Sequence, residues 1–140
     1  MGLGTDGASS NNRLDVLSEM RLAALLGKHN ANDAAAFNAH HVLRMATLDA
    51  ARALGLDARI GSIEKGKRAD LTAIRVNGPD TPELVPCYDP VSHVVYVAGR
   101  DHVSHVWVDG RLRVDNGALL DVDAAELTTR ANHWRTRIKP

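Results

Sequence analysis

One cysteine, Cys87, stands in 140 residues, so no disulfide can form within the chain, and the composition fits a reducing compartment. Aromatic residues make up only 4%. Net charge is absent: Lys+Arg and Asp+Glu balance at 17 each, leaving no field of one sign to draw in nucleic acid or a membrane surface. No apolar run approaches the roughly 18 residues that a transmembrane helix needs. The first residues lack the basic-then-apolar pattern of a secretory leader, so the expected location is cytoplasmic. There is no internal repeat and no His-x-His pair. What is present is a 44% hydrophobic fraction, enough for a core.

Two regions differ in character. Residues 1–56 read as loop and helix, and residues 57–122 mostly as strands and turns. The spacing of Leu14, Leu17, Met20, Ala24 and Leu25 predicts a helix over 13–26, with Asn11 or Asn12 as cap and Gly27 as stop. A second helix is expected over 39–54 on a stripe of Val42, Leu43, Ala46, Ala50 and Leu54, ended by a left-handed Gly55. Gly61 and Gly66 punctuate a stretch in which Leu71, Ala73, Ile74 and Val76 suit a strand. Asp89-Pro90 opens either a short helix or an irregular segment. Val103 to Val114 reads as a hairpin turning at Asp109-Gly110, and Asn116-Gly117 marks the next turn. Asp123, with Glu126 three residues on, caps a closing helix to about Arg137.

The candidate chemistry lies in Gly4-Thr5-Asp6-Gly7-Ala8-Ser9-Ser10-Asn11-Asn12, an acid among small turn-forming residues just before a helix. Gly2, Gly4 and Gly7 match a dinucleotide fingerprint by letter, but Asp6 inside the loop would repel a pyrophosphate. His40 and His41 are adjacent and point about 100° apart on a helix. They are read as surface or packing residues. His93, His102 and His105 are scattered and are read as structural, and no nucleophile elbow surrounds Ser9 or Ser10. Lys65, Lys67 and Arg68 read as a solvated hairpin tip. Trp107 and Trp134 are expected to pack.

The segments TDGASSNN, LDVLSEMRLAALL, RMATLDAARALGL, IGSIEKGKRADLTAI, YDPVSHVVYVAGR and VWVDGRLRVDNG together resemble the amidohydrolase superfamily. The closest likeness is to its branch of aminopurine deaminases and triazine hydrolases. The resemblance covers nearly the whole chain and implies an α/β fold. It is that of the C-terminal portion of a metal-dependent hydrolase (β/α)8 barrel, holding the last strand and the helices after it, plus part of a composite β-sandwich. The implied divisions are 1–56, the end of the barrel; 57–122, sandwich; and 123–140, a C-terminal helix. A whole barrel takes about 250 residues, so the other site residues would lie outside this chain. The edge of a strand at 1–5 would then lack its barrel neighbours.

By the same resemblance, Asp6 is the catalytic residue, metal ligand and substrate-binding residue. The metal would be divalent, zinc or iron, and held only together with ligands from elsewhere in the barrel. The implied reaction is hydrolytic deamination of an aminopurine nucleoside such as 5′-methylthioadenosine or S-adenosylhomocysteine. The alternatives are triazine-type dechlorination, or a non-catalytic piece that completes a barrel supplied by another chain. The implied partners are a small heterocyclic substrate and a second copy in a homo-oligomer, with no nucleic acid and no membrane. The 140 residues alone are expected to be inactive.

Overall fold

The computed structural model describes residues 1–138. Three helices carry the core. α1 spans Val16–Ala31, α2 Ala39–Ala46 and α4 Pro90–Tyr96, while a short α3, Leu48–Ala53, follows α2. Met20 and Ala24 of α1, Ala39, Val42 and Met45 of α2, and Val95 of α4 meet in one buried cluster.

α1 begins later and ends later than its apolar spacing predicts. Leu14 has φ +49, which no helix tolerates, so the helix starts beyond it. Asp15 is the N-cap, its Oδ1 accepting from the amides of Leu17 (3.1 Å) and Ser18 (3.2 Å). The D-x-x-S pattern at Asp15–Ser18 was the overlooked start signal. The helix also runs through Gly27, which serves a close contact instead of a stop. A Cβ there would lie 2.4 Å from Cγ of Phe37. Asn32, left-handed at φ +49, closes the helix.

The expected 39–54 helix is two helices. Thr47 breaks it with φ −122, ψ −97, and its hydroxyl donates back to the Leu43 carbonyl at 2.8 Å, a local bond that competes with the helical ladder. The break rotates the buried stripe, so Ala51 is buried and Leu54 is 71% exposed. Gly55 does stop α3 in the left-handed region, at φ +69. The Leu56 amide reaches Ala51 O (2.8 Å) and the Gly55 amide reaches Arg52 O (3.0 Å), the bond pair of a Schellman cap.

The strands form one antiparallel sheet in the order β1-β2-β3-β4, comprising Leu71–Ile74, Val103–Val108, Arg111–Asp115 and Ala118–Leu119. The β1–β2 register pairs Leu71 with Trp107 and Thr72 with Val106. Asp109 (φ +52) and Gly110 (φ +77) make the two-residue turn with both central residues left-handed, as expected for a type I′ hairpin. Asn116 (φ +47) and Gly117 (φ +79) repeat the device between β3 and β4. Asp89 settles the ambiguity at 89–90 in favour of helix. It caps α4 through Val91 and Ser92, with Pro90 in the first turn. α5, Ala124–Ile138, closes the described chain and is capped by Asp123 Oδ1 on the amides of Ala125 (2.8 Å) and Glu126 (3.2 Å).

Candidate functional site

Residues 1–7 form no ladder. They lie over the second and third helices, where the Leu3 amide donates to Met45 O at 2.9 Å and a Cβ on Gly2 would come within 2.9 Å of Ala50 Cα. With no partner strand among the described residues, this segment has nothing to pair with, which is why the strand read there is not formed as a ladder.

Asp6 follows at the exposed end of this segment. Its backbone is left-handed, φ +59, a conformation costly for any residue with a Cβ and tolerated best by Asn and Asp. The strain is held by two short-range bonds. Gly7 N–H donates to Asp6 Oδ1 at 2.6 Å, and the Thr5 hydroxyl donates to the Asp6 carbonyl at 3.1 Å. Asp6 is exposed, and Oδ2 has no hydrogen-bond partner among the described residues.

The loop behind Asp6 is tied to α1. Gly7 O accepts from the amides of Ser10 (2.9 Å) and Asn11 (3.0 Å). Asn11 Oδ1 accepts from Arg13 N–H at 3.0 Å, and its Nδ2 donates to Glu19 Oε1 at 2.6 Å. Asn11 is therefore a brace across the loop and not the helix cap. Glu19 had no sequence signal beyond its place in the first turn. Beneath them Asp15, 5% exposed, also accepts from the Ser18 hydroxyl at 2.8 Å. Burial works to raise the Asp15 pKa. Hydrogen bonds from Ser18, the charge of Arg13 and the Leu17 amide outweigh it and hold the carboxyl below its ordinary value.

The histidines do not converge. His40 and His41 lie exposed on α2, and His41 stacks on Phe37 with ring centroids 5.2 Å apart. They border an open cleft of about 410 Å³ with Arg44 and Asp49. His93 Nδ1 sits 3.0 Å from Asp89 O. His105 stacks on Trp107 and lies 3.2 Å from Asp115. His102, 7% exposed, accepts from Gly99 N–H on Nδ1 at 2.9 Å and faces Glu83 on Nε2 at 2.5 Å. That bond holds the Glu83 carboxyl below its usual range.

Among the described residues no group of three or more His, Cys, Asp or Glu is placed to hold a metal ion. The exposed carboxylate of Asp6 suits one position in a divalent site. The remaining donors would have to come from outside these residues.

Residues 1–113 match the amidohydrolase family. A 5-methylthioadenosine/S-adenosylhomocysteine deaminase of Teredinibacter turnerae is 44% identical over 99% of this chain and 30% of its own length. The crystal structure of an adenosine deaminase from Xanthomonas campestris with bound zinc superposes with a TM-score of 0.93. It is 46% identical, over 99% of this chain and 31% of that one. An atrazine chlorohydrolase from Arthrobacter aurescens complexed with zinc superposes at TM-score 0.79 and 30% identity, over 94% of this chain and 29% of that one. The chain thus spans about 30% of the length of the relatives it matches.

Proposed function

Because the chain belongs to the amidohydrolase family, we propose that it is the aspartate-bearing part of a metal-dependent aminopurine deaminase. In this reading its first 56 residues close a (β/α)8 barrel, and residues 57–122 contribute to a β-sandwich. The observation that carries the reading is the Asp6 loop, in which an exposed carboxylate has one oxygen fixed by Gly7 and the loop is braced to α1 by Asn11 and Glu19. The identity of 44% to a deaminase of methylthioadenosine and S-adenosylhomocysteine, against 30% to the triazine enzyme, favours the nucleoside substrate.

In the completed site, Asp6 would be one ligand of a zinc or other divalent ion. Such an ion supplies Lewis acidity and lowers the pKa of water to near neutrality. The part of Asp6 itself is proton transfer. Its carboxylate takes a proton from the water whose oxygen bonds to the amino-bearing ring carbon. It returns that proton to the amine nitrogen as the carbon–nitrogen bond breaks and ammonia departs. The Gly7 amide keeps the carboxylate oriented for both transfers. The left-handed Asp6 backbone sets the direction of its Cα–Cβ bond.

The test is a segment swap. Residues 1–140 replace the segment they superpose on in the Xanthomonas campestris relative, and ammonia release from 5′-methylthioadenosine is measured with zinc present. Activity is expected in the swapped protein. Asp6→Asn in it should lose about 10²-fold or more in turnover with its thermal midpoint retained. Residues 1–140 alone should release none. Turnover by the isolated chain, or full turnover by the Asn variant, would overturn the reading.

A further inference from the structure

Residues 4–10 carry the candidate catalytic carboxylate, and apolar packing does not hold them. Thr5 is partly shielded and the other six residues of the span are exposed. Two anchors flank it. On one side the Leu3 amide donates to Met45 O on α2. On the other side stands Asn11. Between these anchors the place of Asp6 depends on polar bonds, each in competition with water.

A chain of three such bonds runs from α1 to the carboxylate. Glu19 Oε1 accepts from Asn11 Nδ2 at 2.6 Å, Gly7 O accepts from the Asn11 amide at 3.0 Å, and Asp6 Oδ1 accepts from the Gly7 amide at 2.6 Å. Gly7 is thus gripped at both its N–H and its C=O. Asn11 is the junction. Its Oδ1 accepts from the amides of Arg13 (3.0 Å) and Leu14 (3.3 Å), so its side chain is held at both ends. Only this orientation of the side-chain amide pairs each donor with an acceptor. Turned over, it would set its oxygen against the Glu19 carboxylate and its NH2 group against two N–H donors. Asn11 and Glu19 are both partly buried, which strengthens a charge-assisted bond by limiting water. An acid in the first turn of α1 suits the helix dipole with or without Asn11. The bond to Asn11 is what ties the loop to that helix.

We propose that Asn11 and Glu19 are positioning residues for Asp6. Their mutual hydrogen bond, acting through Gly7, sets where the Asp6 carboxylate stands for metal binding and proton transfer. The catalytic half of this proposal rests on the deaminase reading, and the geometric half rests on the bonds alone.

The test exploits the polarity of the bond. Glu19→Gln keeps an oxygen for Asn11 Nδ2. Asn11→Asp keeps the oxygen that the Arg13 and Leu14 amides require, but sets a second carboxylate against Glu19. The two changes together restore a bond with donor and acceptor exchanged. In residues 1–140 the readout is the order of the Asp6 side chain, from its Hα–Hβ scalar couplings. These should report one rotamer in wild type, in Glu19→Gln and in the double variant, and shift to averaged values in Asn11→Asp. In the same segment swap, zinc affinity and kcat for 5′-methylthioadenosine should each fall about 10-fold to 100-fold in Asn11→Asp. Both should recover in the double variant, with KM and the thermal midpoint near wild type throughout. Equal couplings in all four forms would overturn the proposal. So would a double variant as impaired as Asn11→Asp. Unchanged kcat in Asn11→Asp beside a loss in Asp6→Asn would overturn it too, and would leave the deaminase reading standing. A swapped wild type that releases no ammonia counts against the deaminase reading, and the couplings and zinc affinity then decide on the brace. A kcat loss that only tracks a lowered thermal midpoint would make the pair structural and overturn the proposal as well.

Discussion

Gly27 and Gly55 need glycine for opposite reasons. At Gly55 a Cβ would meet nothing within 4 Å, so the demand is entirely the backbone at φ +69. Gly55→Val should cost on the order of 1–2 kcal/mol, read as a lower urea midpoint at unchanged slope. At Gly27 the backbone is ordinary helix and the demand is space, because Phe37 occupies it. Helix propensity alone favours Ala there by about 1 kcal/mol. Overpacking by one methyl against a fixed ring costs about 1–3 kcal/mol. Gly27→Ala should therefore destabilise, and the same change made in a Phe37→Ala background should stabilise. Equal effects in both backgrounds would remove the ring contact as the cause. Asp6 belongs to the first kind of position, since its φ of +59 is a backbone requirement. This makes Asn the right probe there, because it tolerates that region while lacking a carboxylate to take a proton.

The elements follow their caps more than their apolar spacing. Asp15 and Asp89 each start a helix by accepting from the backbone two and three residues on and from a serine hydroxyl. Removing the first, Asp15→Ala, should cost about 0.5–2 kcal/mol near neutral pH. The folded-state pKa of Asp15 is depressed, so its contribution is complete above the unfolded value of about 3.9. It fades as pH falls through the lower folded value. The stability gap between wild type and Asp15→Ala should thus narrow below about pH 4, measured by urea unfolding at a series of pH values. A gap that stayed constant to pH 2 would show the charge to be irrelevant. In the sheet, the β2–β3 turn is held from outside as well. Asp70 Oδ1 accepts from the Asp109 amide at 2.7 Å, and Arg68 lies 3.2 Å from the Asp109 carboxylate. Of the Lys65, Lys67 and Arg68 cluster read as a solvated hairpin tip, Arg68 instead joins Asp70 in clamping this turn.

At the scale of the molecule, turn chemistry was the most legible part of the sequence. Asp109-Gly110, Asn116-Gly117, Gly55 and Asp123 act where their residue types predict, because left-handed backbone and capping are local demands. Helix limits were less legible because distant contacts decide them. Phe37 occupies the space that made Gly27 read as a stop, and Thr47 divides a segment whose apolar pattern is continuous. Trp134 and Leu25 illustrate a third failure. Both carry core-type side chains, yet Trp134 is 52% and Leu25 53% exposed, and nothing in local sequence says whether the surface that would cover such a residue belongs to the same stretch of chain. For the candidate site, a turn around Asp6 was readable from TDGASSNN, whereas the left-handed Asp6 backbone and the lack of a ladder before it were not. Nor was the Asn11–Glu19 brace, since it joins a loop residue to a helix residue through a side-chain bond that no motif encodes.

Leu22, Leu25 and Leu26 turn one face of α1 outward, each about half exposed, on a chain whose formal net charge is zero at pH 7. This combination bears on colloidal behaviour. Near neutrality the molecules have no long-range repulsion to keep apolar faces apart. Light scattering from concentrated residues 1–140 should therefore peak near pH 7, where the formal net charge is zero, and fall on either side as net charge builds. At pH 7, adding salt should not suppress that scattering, because the attraction is apolar and there is little net charge to screen.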